Sequence, residues 1–98
     1  GMQHISKQLL NDPSFGPEAG TQINGIVQTA TTAGLGTQEY TDAAYKFRAI
    51  NDEVLGLMAR NIARQRTGNA NLAPTAPEAV AALAELEALR RTGRDMPG

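Results

Sequence analysis

From Tyr40 to Arg66 the chain contains no proline, and its apolar positions step by alternating threes and fours. Ala43, Phe47, Ile50, Val54 and Leu57 lead to Asn61, with Ala44, Met58 and Ile62 widening the stripe. This spacing is the seam of a helix that packs against other helices. Thr37 suits the N-cap. A straight helix from Gln38 to Arg66 measures roughly 43 Å at ~1.5 Å per residue. That exceeds both the radius of gyration of about 13 Å expected of a 100-residue globule and its diameter. Such a rod projects unless other helices flank it, and Gly56 reads as a bend or a close crossing.

Two shorter patterns flank the rod. Ile23, Ile26, Val27 and Ala30 form a narrow stripe in a segment opened by Pro17 and Glu18, which suit a helix N-terminus. Gly20, Gly25 and the threonines lower its helix propensity, so packing must hold it together. Gly25 and the alanines suit a close helix approach. Gly34 and Gly36 end the segment with a C-cap and a tight turn. On the far side, Gly68, Asn69, Asn71, Pro74 and Pro77 form a connector. Thr75 and Glu78 then have capping-box spacing ahead of the Ala79, Leu83, Leu86 and Leu89 stripe. Thr92 and Gly93 are expected to stop that helix.

These elements predict an all-α domain. It is a small bundle of three main helices, with the rod flanked by the Thr21–Ala33 helix on one side and the Thr75–Arg91 helix on the other. The domain covers 17–92. An arm or short helix over 1–16 carries Ile5, Leu9 and Leu10, and a disordered tail occupies 93–98. Gly1 ahead of Met2 reads as a residue left by tag removal.

Composition sharpens the expectation of association. The apolar share is 41%, much of it alanine, and aromatics are 4%, so the side chains that dominate core energetics are scarce. A thin core around a long rod is often completed by another chain. Phe47, Ile50, Val54, Leu57, Met58, Asn61 and Ile62 are therefore expected to pack partly against a second copy or another helical protein. Asn61, and to a lesser degree Asn51, is placed to set register at such a seam.

Net charge is −1, which gives no overall bias toward nucleic acid or anionic lipid. The chain has no cysteine, so it has no thiolate chemistry, and this fits a reducing, cytoplasmic setting. No stretch approaches the ~20 apolar residues of a membrane span, and the N-terminus does not read as a secretory signal. Arg60, Arg64 and Arg66, with Arg90, Arg91 and Arg94, form the one candidate nucleic-acid surface. Both groups lie at helix C-termini, where cations oppose the helix dipole, while Glu39, Asp42 and Glu78 start helices.

Candidate chemistry adds little. His4 has neither an orienting partner nor metal-binding companions. Glu39, Asp42, Asp52 and Glu53 lack the Glu-x-x-His pairs of helical di-iron sites. Asp42 and Lys46 are a surface pair one helical turn apart. Gly34–Thr37 lacks the lysine and the preceding strand of a phosphate loop. Tyr40 and Tyr45 face different sides of the rod, and the outer one is a candidate partner anchor. The expected function is a non-catalytic helical interaction module that self-associates, with no cofactor or metal. A dimeric nucleic-acid regulator acting through the arginines ranks second.

Overall fold

A computed structural model describes residues 15–96, with side chains from Gly20 onward. The expected N-terminal arm, with His4, Ile5, Leu9 and Leu10, lies outside the described residues except for its last two positions, which open the first helix. Four helices follow one another: α1 (Phe15–Ala33), α2 (Gln38–Phe47), α3 (Asp52–Thr67) and α4 (Pro77–Arg94). The α2–α3 pair occupies the middle. α4 packs against both members on one side and α1 against both on the other, while α1 and α4 barely touch.

The all-α bundle agrees with the sequence, but its central element does not. The rod is broken in two at Arg48–Asn51, and the fold measures 37 × 31 × 21 Å, too short for a continuous helix over the whole segment. Neither Gly56 nor a proline makes the break. Asn51 adopts extended backbone, and its Oδ1 accepts the Val54 N–H at 2.9 Å as the N-cap of α3. Asp52 and Glu53 follow in the first turn, where acidic side chains oppose the dipole. On the other side of the break, α4 supplies donors to exposed carbonyls. Arg94 Nε donates to Arg48 O at 3.3 Å, and Arg90 Nη1 to Ile50 O at 3.2 Å. Arg90 also reaches Asp52 at 2.6 Å. The break thus satisfies backbone groups that a helix end leaves open.

Other ends follow local chemistry. Gly34 and Gly36 take positive φ, and the Gly34 N–H binds Ala30 O at 2.9 Å, closing α1. Thr37 caps α2 by accepting from the Tyr40 N–H. Gly68 closes α3 in the left-handed region, bonded to Arg64 O. The capping box at Thr75 and Glu78 is absent. The N-cap is Ala76, without a side-chain bond, and Pro77 takes the first helical position. Proline there has no N–H to satisfy, which lessens the need for a side-chain cap.

The last helix corrects another expectation. Thr92 and Gly93 do not stop it. It runs to Arg94, and Met96 beyond it packs on the core. Gly93 is buried where α4 crosses α2, and a Cβ placed on it would collide with Ala44 O and lie 2.8 Å from Arg48 Cβ. Gly20 plays a milder version of this role where α1 meets α3, beside Gln65 and the backbone of Asn61. Gly25 and Gly56 are not close crossings among the described residues, none of which lies within 4 Å of a Cβ on either. The core between the helices is built of Val27, Phe47, Val54, Leu55, Met58, Ile62, Leu86 and Leu89 with interleaved alanines.

Because backbone sits where a methyl group would go, Gly93→Ala is expected to destabilise the fold by about 2–3 kcal/mol or more, as overpacking does. Asn51→Ala is expected to cost about 1 kcal/mol through loss of the cap. Urea unfolding of both variants checks this. A Gly93→Ala protein as stable as the parent would mean that α2 and α4 do not cross there.

Candidate functional site

The seven seam residues are brought together, but inside one chain. Phe47, Val54, Met58 and Ile62 are buried in the chain's own core, and Ile50 and Leu57 are half-buried against it. The break at Arg48–Asn51 is the physical reason. It lets two short helices wrap between α1 and α4, so the flank expected to seek a second chain is largely covered by this one. Asn51 serves as the N-cap of α3. Asn61 is buried beside Gly20 at the α1–α3 contact, and its Nδ2 makes no hydrogen bond among the described residues.

The candidate nucleic-acid arginines diverge in role. Arg66 Nε donates to Asn24 on α1 at 2.8 Å, and its Nη1 meets Glu85 on α4 at 2.6 Å. Gln28, with its amide oxygen turned toward the guanidinium, accepts from Arg66 Nε and Nη2 at 2.9 Å. Arg66 therefore ties three helices together. Arg64 Nε donates to Leu72 O and pins the connector to α3. Arg90 and Arg94 serve the break, as described above. Arg48 lies over the Tyr45 ring, 3.8 Å from its centroid, so the outer tyrosine is engaged locally.

Arg60 behaves differently. Its Nε is shut off from water and donates to nothing among the described residues. Burial, with the neighbouring Arg64 charge second, pushes its guanidinium below the usual arginine range. The group remains charged near neutral pH, because arginine titrates far above it. The lowered value means that the folded chain disfavours this charge, and that penalty is relieved only at strongly alkaline pH.

Arg60 lines a groove of about 380 Å³ between α3 and the start of α4. Glu53, Gly56 and Leu57 continue the α3 wall, and Ala79 and Leu83 form the α4 wall, with Pro74 at one end. Val80 stands beside it on α4, 55% exposed. On α3 the lining positions Glu53, Gly56, Leu57 and Arg60 follow i, i+3, i+4, i+7 spacing along one face of the helix, and the buried Ala59 also lines the groove. Gly56 leaves a gap in that face, and Leu57 is the ridge next to it. A second, more open depression of about 450 Å³ lies between α1 and α2, with Glu39, Asp42 and Lys46 on one wall.

Among the described residues no three His, Cys, Asp or Glu side chains gather as a metal group, and no helix is long and apolar enough to cross a membrane. Sequence reasoning singled out Leu57, Arg60 and Gly56 separately. Their union with Ala79 and Leu83 depends on α4 packing beside α3, which no local pattern announces. Comparison with protein-family models, curated proteins and solved structures finds no match to this chain.

Replacing Arg66 removes ties to two helices at once. Arg66→Ala is expected to cost about 2 kcal/mol, within the range for hydrogen bonds to charged groups. Arg66→Lys should recover only part of this, since an ammonium cannot fork to Asn24 and Glu85 as a guanidinium does. Thermal unfolding of the two variants gives the order. Equal stability of all three proteins would show that the tie contributes nothing.

Proposed function

We propose that this protein is a non-catalytic helical interaction module that self-associates through the open face of α3. The observation that carries the reading is that Gly56 and Arg60, one helical turn apart on that face, both weaken the isolated chain. A glycine inside a helix costs about 0.5–1 kcal/mol relative to alanine. None of the described residues crowds Gly56. A buried donor without a partner costs about 1–3 kcal/mol, and Arg60 Nε is such a donor among the described residues. Local rules are commonly broken at functional sites. An apolar groove with a gap in one wall is suited to receiving a side chain from another helix.

A cytoplasmic location belongs to this proposal and rests on the cysteine-free sequence. The competing reading, a dimeric nucleic-acid regulator, has less support. Arg64 and Arg66 have donors committed within the chain, and Arg60 Nε is shut off from solvent.

Opposed effects on stability and association test the reading. Gly56→Ala should stabilise the chain by about 0.5–1 kcal/mol. Gly56→Leu, which fills the gap, should abolish association while far-ultraviolet circular dichroism stays helical. Sedimentation over a concentration series measures the second effect. A wild-type protein that stays monomeric throughout, or a Gly56→Leu protein that associates as well as the parent, would count against the module.

A further inference from the structure

The open face of α3 has a symmetry of its own. Its positions Glu53, Gly56, Leu57 and Arg60 present, in order, an acid, a gap, a ridge and a base. Turned end for end, the same stripe reads base, ridge, gap, acid. We propose that the occupant of the groove is a second copy of this chain, docked so that the two α3 helices cross antiparallel about a two-fold axis between Gly56 and Leu57. This rests on the interaction-module reading and gives it a partner and a geometry.

In that crossing Leu57 of each copy drops onto Gly56 of the other and enters the groove walled by Ala79 and Leu83. Glu53 of each copy faces Arg60 of the other, so the pairing occurs twice. The carboxylate has room for this contact whatever else it holds, because two oxygens offer about four acceptor positions. Glu53 is exposed, and Arg60 is half-buried along the same groove. A two-fold interface requires a patch that complements itself, and this stripe meets that requirement in shape and in charge. A parallel, in-register crossing does not, since it sets Arg60 against Arg60 and Glu53 against Glu53 and stacks ridge on ridge.

The rest of the described molecule offers no competing match. The depression between α1 and α2 is more open, and its Glu39, Asp42 and Lys46 share one wall, so it has no acid and base set at opposite ends of a stripe. The buried seam residues are out of reach of another chain. The open face is small, so the dimer is weak and concentration-dependent, and its paired charges make it sensitive to salt.

Charge exchange between copies decides the matter. Glu53→Lys gives a face with two bases, and Arg60→Glu gives one with two acids. Each variant alone should lose homodimerisation by about tenfold or more. An equimolar mixture of the two should regain a dimer. In the mixed pair the introduced lysine of one copy meets the introduced glutamate of the other, and the retained Arg60 meets the retained Glu53. Sedimentation velocity of each variant, of the mixture and of the wild type reads this directly, with circular dichroism confirming that each variant is folded. Recovery in the mixture supports the antiparallel crossing. A wild-type dimer that both single variants preserve, or that the mixture fails to restore, overturns the crossing while leaving self-association intact. A wild type that is monomeric at every concentration overturns both and leaves the groove to a different protein or ligand.

Discussion

The turn at Arg48–Asn51 decides the architecture. Breaking a helix exposes backbone donors and acceptors, and each one left buried without a partner costs about 1–3 kcal/mol. Here the groups nearest the break have partners: Asn51 Oδ1 takes the Val54 N–H, and Arg90 and Arg94 take the carbonyls of Ile50 and Arg48. What the break allows is larger than what it costs. Phe47, Val54, Met58 and Ile62 become buried within one chain, and each such side chain contributes about 1.5–3 kcal/mol by leaving water. A straight helix would keep the backbone bonds and strand these side chains on an uncovered flank. α4 holds the turn in place, so the far end of the sequence closes the middle.

Closeness substitutes for bulk in this core. Aromatics are few and alanines many, so helices gain contact by approaching one another rather than by interlocking large side chains. Gly93 takes this furthest, placing the α4 backbone against Ala44 O, while Ala43, Ala44, Ala59 and Ala82 line the neighbouring contacts. Dispersion contacts fall away quickly with separation, so a core of small residues works only if the backbones come near. Arg66 adds a polar clasp at the other end, joining α1, α3 and α4 through Asn24, Gln28 and Glu85.

Much of this was legible in the sequence, and the misses have identifiable causes. The glycine turn after Ala33, the Thr37 cap and the flanking of the central segment by two helices follow from residue chemistry. The break was hidden because Phe47, Ile50, Val54 and Leu57 keep helical phase straight through it. The competing signal, Asn51 followed by Asp52 and Glu53, is a helix start, yet Asn51 drew notice only for lying beside an apolar stripe. Gly93 carries the signal of a stop, because glycine near a helix end serves that purpose. Its other use, admitting a neighbouring backbone, depends on Ala44, which is far away in sequence. Thr75 and Glu78 show the reverse error, correct spacing with the helix starting one residue too late. Of the candidate site, single members could be named from the α3 pattern, but its second wall arises only from tertiary packing.

Cost is distributed unevenly over the surface. A helical glycine without a crowding neighbour and an arginine nitrogen without a partner among the described residues together weaken the lone chain by on the order of 2–4 kcal/mol. That is a sizeable part of the roughly 5–15 kcal/mol that holds a small domain folded. Scattered over the surface, such costs would read as tolerated accidents of a sequence above its stability threshold. Here they share one face of one helix, beside the half-buried Leu57 and Leu83 and the exposed Val80. The break and the Arg66 clasp have their polar groups partnered, whereas the buried Asn61 Nδ2 at the α1–α3 contact is a second donor without a partner among the described residues. Gly56 and Arg60 are the two costs that fall on the open stripe of α3, and the proposed association is built on that stripe.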